Sequence, residues 1–426
     1  MLKSMSMIKH SEAVIRDTDA TRISMMAPSL QPKDKFAKLI YKSLKNTKIP
    51  CKFIFASGET LRLGKCEPEF TVTFHSDSML KNGFDEYSLG QAYVNGEVEI
   101  EGSMPSLFEI RKYMKGKITS FFMIKMWLRI LFRSPIKLNH DSIAQHYSLG
   151  DNFYLIFLDR NYHLYSHCLF KTDNESLEEA AEHKLATMAK ALQLKPGMRL
   201  LDIGAGWGAV SRYAGPKDIH VTALTIHEDS YKLHQDLIAA NNLSNCEVHL
   251  EDFLEHDPEE LYDAIVIFGV IEHIPHYRRF TEQVWKCLKP GGRIYLDASA
   301  VLEKYNVSNF VRHYIYPGTH TYLCLPDMIQ EFLMHGFKVL EVVDETHEYD
   351  LTLGHWAQRF DANREVIIKL WGQKVFRAFR TYLWGGAHDM RSRGLQAYHV
   401  VAERTEDTGI RPGLFKRIRY FIRGLT

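Results

Sequence analysis

The residues able to do chemistry gather around one short stretch. Leu200, Leu201, Asp202 and Ile203 form an apolar run carrying a single acid, and Gly204, Gly206 and Gly208 follow at alternate positions, with Trp207 among them. Such a run reads as a buried strand that turns tightly into a helix. Glycine permits backbone angles that a Cβ forbids and lets a ligand lie against the main chain. The helix that begins near Ala209 aims its free N–H groups and positive dipole end at the same crevice. A nucleotide-like ligand suits this device, which nicotinamide and flavin enzymes also use; a plain structural turn is the alternative. Glu272 is the second signal. It ends a continuous apolar strand, where a carboxylate costs free energy unless paired or used.

The elements that must hold these residues alternate along the chain. After the glycine stretch, 221–225, 247–250, 262–268 and 293–296 read as strands, with helices at 230–241 and 277–288. The pattern implies an α/β fold, a parallel doubly wound sheet with its ligand at the carboxyl ends of the strands. A helical spacing at 175–194 precedes it, and a late strand pair falls near 337–343 and 397–402. Further upstream, a helix at 33–45 and short alternating strands at 51–55, 69–74 and 98–100 form a small N-terminal α+β domain, punctuated by Gly58, Gly64 and Gly96.

Bulk properties narrow the class. A chain of 426 residues suggests two or three domains. A net charge of +1 points to no particular partner. Six scattered cysteines without a C-x-x-C pair fit reduced thiols in a cytoplasmic protein and argue against a zinc site or a disulfide scaffold, so no metal is expected. No run reaches the ~18 apolar residues of a spanning helix. Local charge says more. Residues 111–137 hold eight Lys or Arg and no acid, interleaved with aromatics and aliphatics; Lys125, Arg129 and Arg133 recur on one helix face. This suits an interfacial helix on anionic lipid, the alternative being a helix packed between domains. Nucleic acid is disfavoured, because the aromatics are too apolar and too many to be stacking platforms alone. The tail, 411–426, is a second basic amphipathic stretch with five basic residues. The expected organisation is a mobile leader (1–30), the small domain (31–115), a basic linker helix (116–140), the main domain (141–405) and the basic tail (406–426).

The segments downstream of the glycines identify the ligand. The glycines read G-x-G-x-G after Asp202. Strand two ends in Thr225-Ile226-His227-Glu228, strand three in Glu251-Asp252-Phe253, and Lys289-Pro290-Gly291-Gly292 precedes strand five. That set resembles the class I methyltransferases that use S-adenosylmethionine. The resemblance implies a seven-stranded Rossmann-like sheet. It places the methionine part of the cofactor at Asp202, Gly204, Gly206 and Trp207, its ribose at Thr225 and Ile226, and its adenine at Asp252 and Phe253. Several further segments are similar to the cyclopropane fatty acid synthase family over about 33–403: His146-Tyr147-Ser148-Leu149-Gly150, Tyr165-Ser166, Leu194-Lys195-Pro196-Gly197-Met198, Ile271-Glu272-His273 and Tyr349-Asp350-Leu351-Thr352-Leu353. By that resemblance Tyr165 and Ser166 also belong to the cofactor site.

The resemblance implies methyl transfer to the double bond of unsaturated acyl chains in membrane phospholipid, by an enzyme peripheral to the membrane; a homodimer is left open. An alkene is a weak nucleophile, so positioning must supply much of the rate. Transfer leaves a carbocation, which carboxylates and aromatic faces stabilise in a dry pocket; Glu272 and Tyr349 match the family residues that line it. A base then removes a proton, giving a cyclopropane, a methylene group or a methyl branch. Typical members use bicarbonate, held by a Cys after Tyr-Ser, the Glu, a His with backbone after strand five, and the late Tyr. Here His167 replaces that Cys and Asp297 that His, with Ser299 two residues on. An aspartate beside a carboxylate repels an anion, which argues against bicarbonate. His167 or Asp297 is the expected base; the plainer readings are a structural histidine and a helix cap. Methylation of a soluble metabolite, or a lipid-binding protein without catalysis, are the rival functions.

Overall fold

Apolar residues at alternate positions build the first sheet. In the computed structural model, which describes residues 32–76, 86–113, 149–316 and 320–406, the strands β1 (Cys51–Ile54), β2 (Thr60–Leu63), β3 (Phe70–Phe74) and β4 (Val98–Gly102) pair in the order β2-β1-β3-β4. Phe53, Phe70, Val72 and Phe74 bury one core with Phe36 and Ile40 of the helix Lys35–Leu44. Asp34 starts that helix by accepting the Phe36 and Ala37 N–H groups. β2 was not among the expected strands; it is half polar, and only its antiparallel pairing with β1 defines it. Arg377, on the long helix Gln373–Arg391, ties this unit to the rest: it donates to the Tyr93 carbonyl at 2.8 Å and pairs with Glu99. The expected leader, linker helix and tail, and His146-Tyr147-Ser148, lie outside the described residues.

The second sheet has the expected seven strands. They are β5 (Arg199–Ile203), β6 (His220–Thr225), β7 (Cys246–Leu250), β8 (Tyr262–Phe268), β9 (Leu288–Ala300), β10 (Phe337–Asp344) and β11 (Gln396–Arg404), in the order β10-β11-β9-β8-β5-β6-β7. β5 to β9 run parallel; β11 is antiparallel to both β9 and β10. The order reverses between β6 and β8 around β5, and the crevice outside such a switch point is where ligands bind in sheets of this kind. Apolar side chains cover both faces, Leu200 and Val266 on one and Leu201, Ile265 and Ile267 on the other.

One strand departs from expectation with consequences for the site. β9 does not stop at residue 296. It continues to Ala300, because β11 pairs with it from Glu403↔Arg293 to Gln396↔Ala300. Asp297 and Ser299 therefore sit within a paired strand, not in a loop or helix cap after it. The partner strand is about a hundred residues distant, so no local pattern announces the extension. Among the described residues no helix is long and apolar enough to cross a membrane, and all six cysteines are unpaired.

Candidate active site

The glycine turn is shaped from both sides. Gly204 has φ +72°, and a Cβ there would stand 2.4 Å from a methyl of Val270. Gly206 has φ +49° and no atom within 4 Å of its would-be Cβ, so the crevice reaches bare main chain at that point. Gly204, Gly206, Thr225, Ile226, Asp252 and Phe253 line this crevice, joined by His227, Ser230, Val270 and His273. Asp252 also braces its own turn, accepting the Leu254 N–H at 2.8 Å. Asp202 lies just behind. It is buried, its Oδ2 has no partner, and burial pushes its carboxyl up to about 7. An orphaned acid under an open glycine cradle fits a ligand that brings donors of its own, such as the amino group of S-adenosylmethionine.

Trp207 does not face the crevice. It is buried, donates Nε1–H to Asp151 at 2.7 Å and lies against Tyr154 and Tyr165. It fixes the turn from behind. Tyr165 extends this aromatic layer to Trp356, and its hydroxyl meets that of Tyr316 at 3.5 Å.

Beside the crevice, next to its lining residue His273, is a cluster of residues around a buried carboxylate, called the chamber below. Glu272, in the 3-10 turn Ile271–His273, is buried. Its Oε1 accepts the Ser299 backbone N–H at 3.0 Å and the Ser299 hydroxyl at 2.9 Å. Its Oε2 has no partner. Burial is the chief reason its carboxyl rises to about 7; the Ser299 bonds pull it down and the Asp297 charge adds to the rise. Tyr322, Tyr349 and Tyr382 are close enough to feel the Glu272 charge, which adds to burial in raising all three hydroxyls. They stay neutral phenols at neutral pH. Burial also lowers the neighbouring His273 to about 4, so its imidazole is neutral. The chamber thus presents one carboxylate among uncharged aromatic groups, a setting that favours a cation over an anion.

Behind the chamber are two buried polar braces. Lys184, on the helix Leu177–Ala191, is fully buried. It pairs with Asp297 and donates to Ser166 Oγ at 3.1 Å and to the His167 carbonyl at 2.5 Å. Asp297 also accepts from Ser166 Oγ at 3.0 Å and from the Gly269 N–H at 2.9 Å. In the second brace Glu345 accepts from His167 Nε2 and His399 Nδ1, both at 2.6 Å. Burial pushes Glu345 up, but hydrogen bonds and charge from both imidazoles outweigh it and hold the carboxyl well below the usual range. The His167 ring lies 4.9 Å from that of Tyr349. Residues 349–353 divide this labour. Tyr349 faces the chamber residues, Asp350 takes a two-pronged grip from Arg391 at 2.9 Å, and Thr352 Oγ1 accepts the Cys168 N–H at 2.9 Å.

The structure therefore gathers the residues singled out in the sequence into one region, in three layers: crevice (Gly204, Gly206, Thr225, Ile226, Asp252, Phe253), chamber (Glu272, Tyr349) and supporting shell (Asp202, Tyr165, Ser166, Trp207, His167, Asp297). Asp297 is not a bare charge, because Lys184 pairs with it, yet its charge still adds to the rise at Glu272. Lys184, Ser299, Glu345 and His399 take part in ways that local sequence did not reveal.

Known proteins resemble this chain in sequence and fold. A family model described as mycolic acid cyclopropane synthetase matches residues 136–400, and a domain of unknown function (DUF7884) matches 38–122. The cyclopropane-fatty-acyl-phospholipid synthase of Escherichia coli (strain K12) is 32% identical over 275 residues, covering 63% of this chain and 69% of its own. The sphingolipid C9-methyltransferase of Komagataella phaffii is 25% identical over 375 residues, covering 81% and 76%. Among solved structures, a mycolic acid cyclopropane synthase complexed with SAH and CTAB superposes with a TM-score of 0.58 at 27% identity, over 62% of this chain and 98% of that one. Because that family model matches more than half of its length, the chain belongs to the mycolic acid cyclopropane synthetase family.

Proposed function

We propose that this protein transfers the methyl carbon of S-adenosylmethionine to the double bond of unsaturated acyl chains in membrane phospholipid. The observation that carries the reading is the pairing of two sites: an open glycine cradle, and beside it a buried carboxylate surrounded by neutral aromatic groups. The cofactor supplies, when bound, an electrophilic methyl group. Everything else falls to the chain. Gly204, Gly206, Thr225, Ile226, Asp252 and Phe253 would hold the cofactor, with Asp202 under its methionine end and Tyr165, Ser166 and Trp207 keeping the turn rigid. The phenols of Tyr322, Tyr349 and Tyr382 exclude water and offer aromatic faces to the cation left on the acyl chain. Glu272 places its charge where that cation forms, and in a low-dielectric pocket such a charge acts strongly. His167 and Asp297 keep Tyr349 and strand β9 in register. The basic segments 111–137 and 411–426 would hold the enzyme on an anionic membrane surface.

The test is lipid mass spectrometry of a host rich in unsaturated phospholipid, expressing the protein and fed methyl-deuterated methionine. New lipids carrying three deuterons mean a methyl branch; two mean a cyclopropane or a methylene group. An unchanged lipid profile, with the protein folded and binding the cofactor, sinks the reading in favour of a soluble substrate.

A further inference from the structure

A cation formed on the acyl chain must give up a proton, and the relatives that use bicarbonate take it with that ion. The anion needs donors. In this chain the groups at its expected position are engaged by the protein's own carboxylates. The Ser299 N–H and hydroxyl both go to Glu272 Oε1. His167 Nε2 is bound by Glu345. Asp297 offers no donor, and the nearby ammonium of Lys184 is paired with it. A bicarbonate ion would meet two carboxylates and, of its expected partners, only the Tyr349 hydroxyl. The residues present do not fit it.

Three side chains could take its place, and their partners separate them. Asp297 accepts from Lys184, Ser166 and Gly269, and its charge is already matched. His167 is buried in its brace and tied to Glu345, with Tyr349 beside it. Glu272 differs: one oxygen is gripped by two donors while the other is buried, unpartnered and among the phenols. That is the geometry of a base held by one oxygen and working with the other. We propose that Glu272 Oε2 is the internal proton acceptor of this enzyme, that Ser299 positions it, and that bicarbonate takes no part. The inference rests on the alkene-methylation reading. In the step, a C–H bond breaks, either on the transferred methyl (ring closure) or on a carbon adjacent to the cation (alkene). Its electron pair closes the new C–C bond or forms the alkene, and the proton passes to Oε2, leaving a neutral acid and a neutral product.

The groups facing Glu272 are Asp297 with its Lys184 partner, and Tyr277, Tyr322, Tyr349 and Tyr382. Burial raises the four phenols, so they stay neutral, and it raises the Glu272 carboxyl to about 7. The experiment follows the purified protein with labelled cofactor and vesicles of monounsaturated phosphatidylglycerol. It is run in CO2-free buffer, with and without added bicarbonate, across pH 5.5–9 (roughly the span over which a base near neutrality titrates). The expected rate is indifferent to bicarbonate and rises with pH through a midpoint near 7. Ser299→Ala, which removes a bond that lowers the Glu272 pKa, moves that midpoint upward, and Ser299→Thr restores it. Glu272→Gln lowers the rate roughly a hundredfold or more. Infrared difference spectra provide a readout without turnover: Asp202 and Glu272 both contribute protonated-carboxyl bands that fade as pH rises through about 7, and the component lost in Glu272→Gln is the one whose midpoint moves upward in Ser299→Ala. A wild-type rate that climbs with bicarbonate, or a midpoint and band unmoved by Ser299→Ala, overturns the inference while leaving the alkene reading intact. A folded, cofactor-binding wild type that labels no lipid overturns both.

Discussion

Lys184 and Asp297 form an ion pair that solvent does not reach, joining the helix Leu177–Ala191 to strand β9 behind the reaction chamber. A lone buried charge is far more costly than a pair. Lys184→Met should therefore destabilise the protein by about 3–5 kcal/mol, because Asp297 is left buried without its counter-charge. The double variant Lys184→Met/Asp297→Asn should recover much of that loss. Urea titrations of the two single variants and the double one give the coupling. Additive losses would mean that the two side chains stabilise the fold independently.

Glu272 links the chamber to stability with the opposite sign. Its carboxyl titrates at about 7 in the folded chain against an ordinary 4.5. A folded-state pKa raised in this way favours the fold below pH 4.5, and the advantage drains away as pH climbs through 7. The difference corresponds to about 3 kcal/mol. Glu272→Gln keeps an oxygen for the Ser299 donors and carries no charge. The variant should gain stability over wild type as pH rises from 5 to 8, although it loses activity. Unfolding midpoints at those two pH values decide the matter; equal pH dependence in both proteins would show that the carboxyl does not titrate there.

The two turn glycines should fail differently. Gly204→Ala drives a methyl into Val270 and should lower the unfolding midpoint, with partial rescue by Val270→Ala. Gly206→Ala meets no atom but keeps a positive φ and puts a methyl into the crevice. Backbone strain of roughly 1–2 kcal/mol and lost cofactor space should weaken S-adenosylmethionine binding by about tenfold or more. Calorimetric titration separates the two, and identical behaviour would mean that Gly206 does not border the cofactor.

Binding to anionic vesicles should be strong at low salt and fade as ionic strength rises, since exposed charges are screened within ~10 Å at 0.1 M. Cosedimentation with phosphatidylglycerol and with phosphatidylcholine vesicles measures it. Equal binding to both lipids would remove the electrostatic role given to 111–137 and 411–426.

The site was legible where its chemistry is carried by contiguous residues. The glycine turn, the strand ends at Thr225 and Asp252, and Glu272 after an apolar strand all announce themselves through local pattern. The supporting shell does not. Lys184 falls on the apolar face of its helix, with Leu177, Ala180, Ala181 and Met188, but a lysine there does not say which distant acid it meets. Asp297 and Ser299 fall just past the expected strand 293–296, since the strand that captures them lies a hundred residues on. Glu345 gains its meaning only from His167 and His399, 178 and 54 positions away. Each is a polar group whose partner is brought by tertiary pairing, which no periodicity encodes.

The insertion of β11 between β10 and β9 has a bearing on how the enzyme is made. Asp297 and Ser299 hang on a strand whose outer edge is covered by residues 396–403, and His399 stands opposite Asp297 in that pairing. A nascent chain that has reached Arg391 already contains every residue of the crevice and chamber. Yet its β9 edge is bare, and Glu345 lacks one of its two imidazoles. Domains fold as units during synthesis, and unpaired strand edges are exposed to aggregation until their neighbours arrive. Cofactor-binding competence should thus be acquired late, in one step, as the last strand emerges from the ribosome. A ribosome-bound chain truncated before residue 396 is the species most in need of a chaperone.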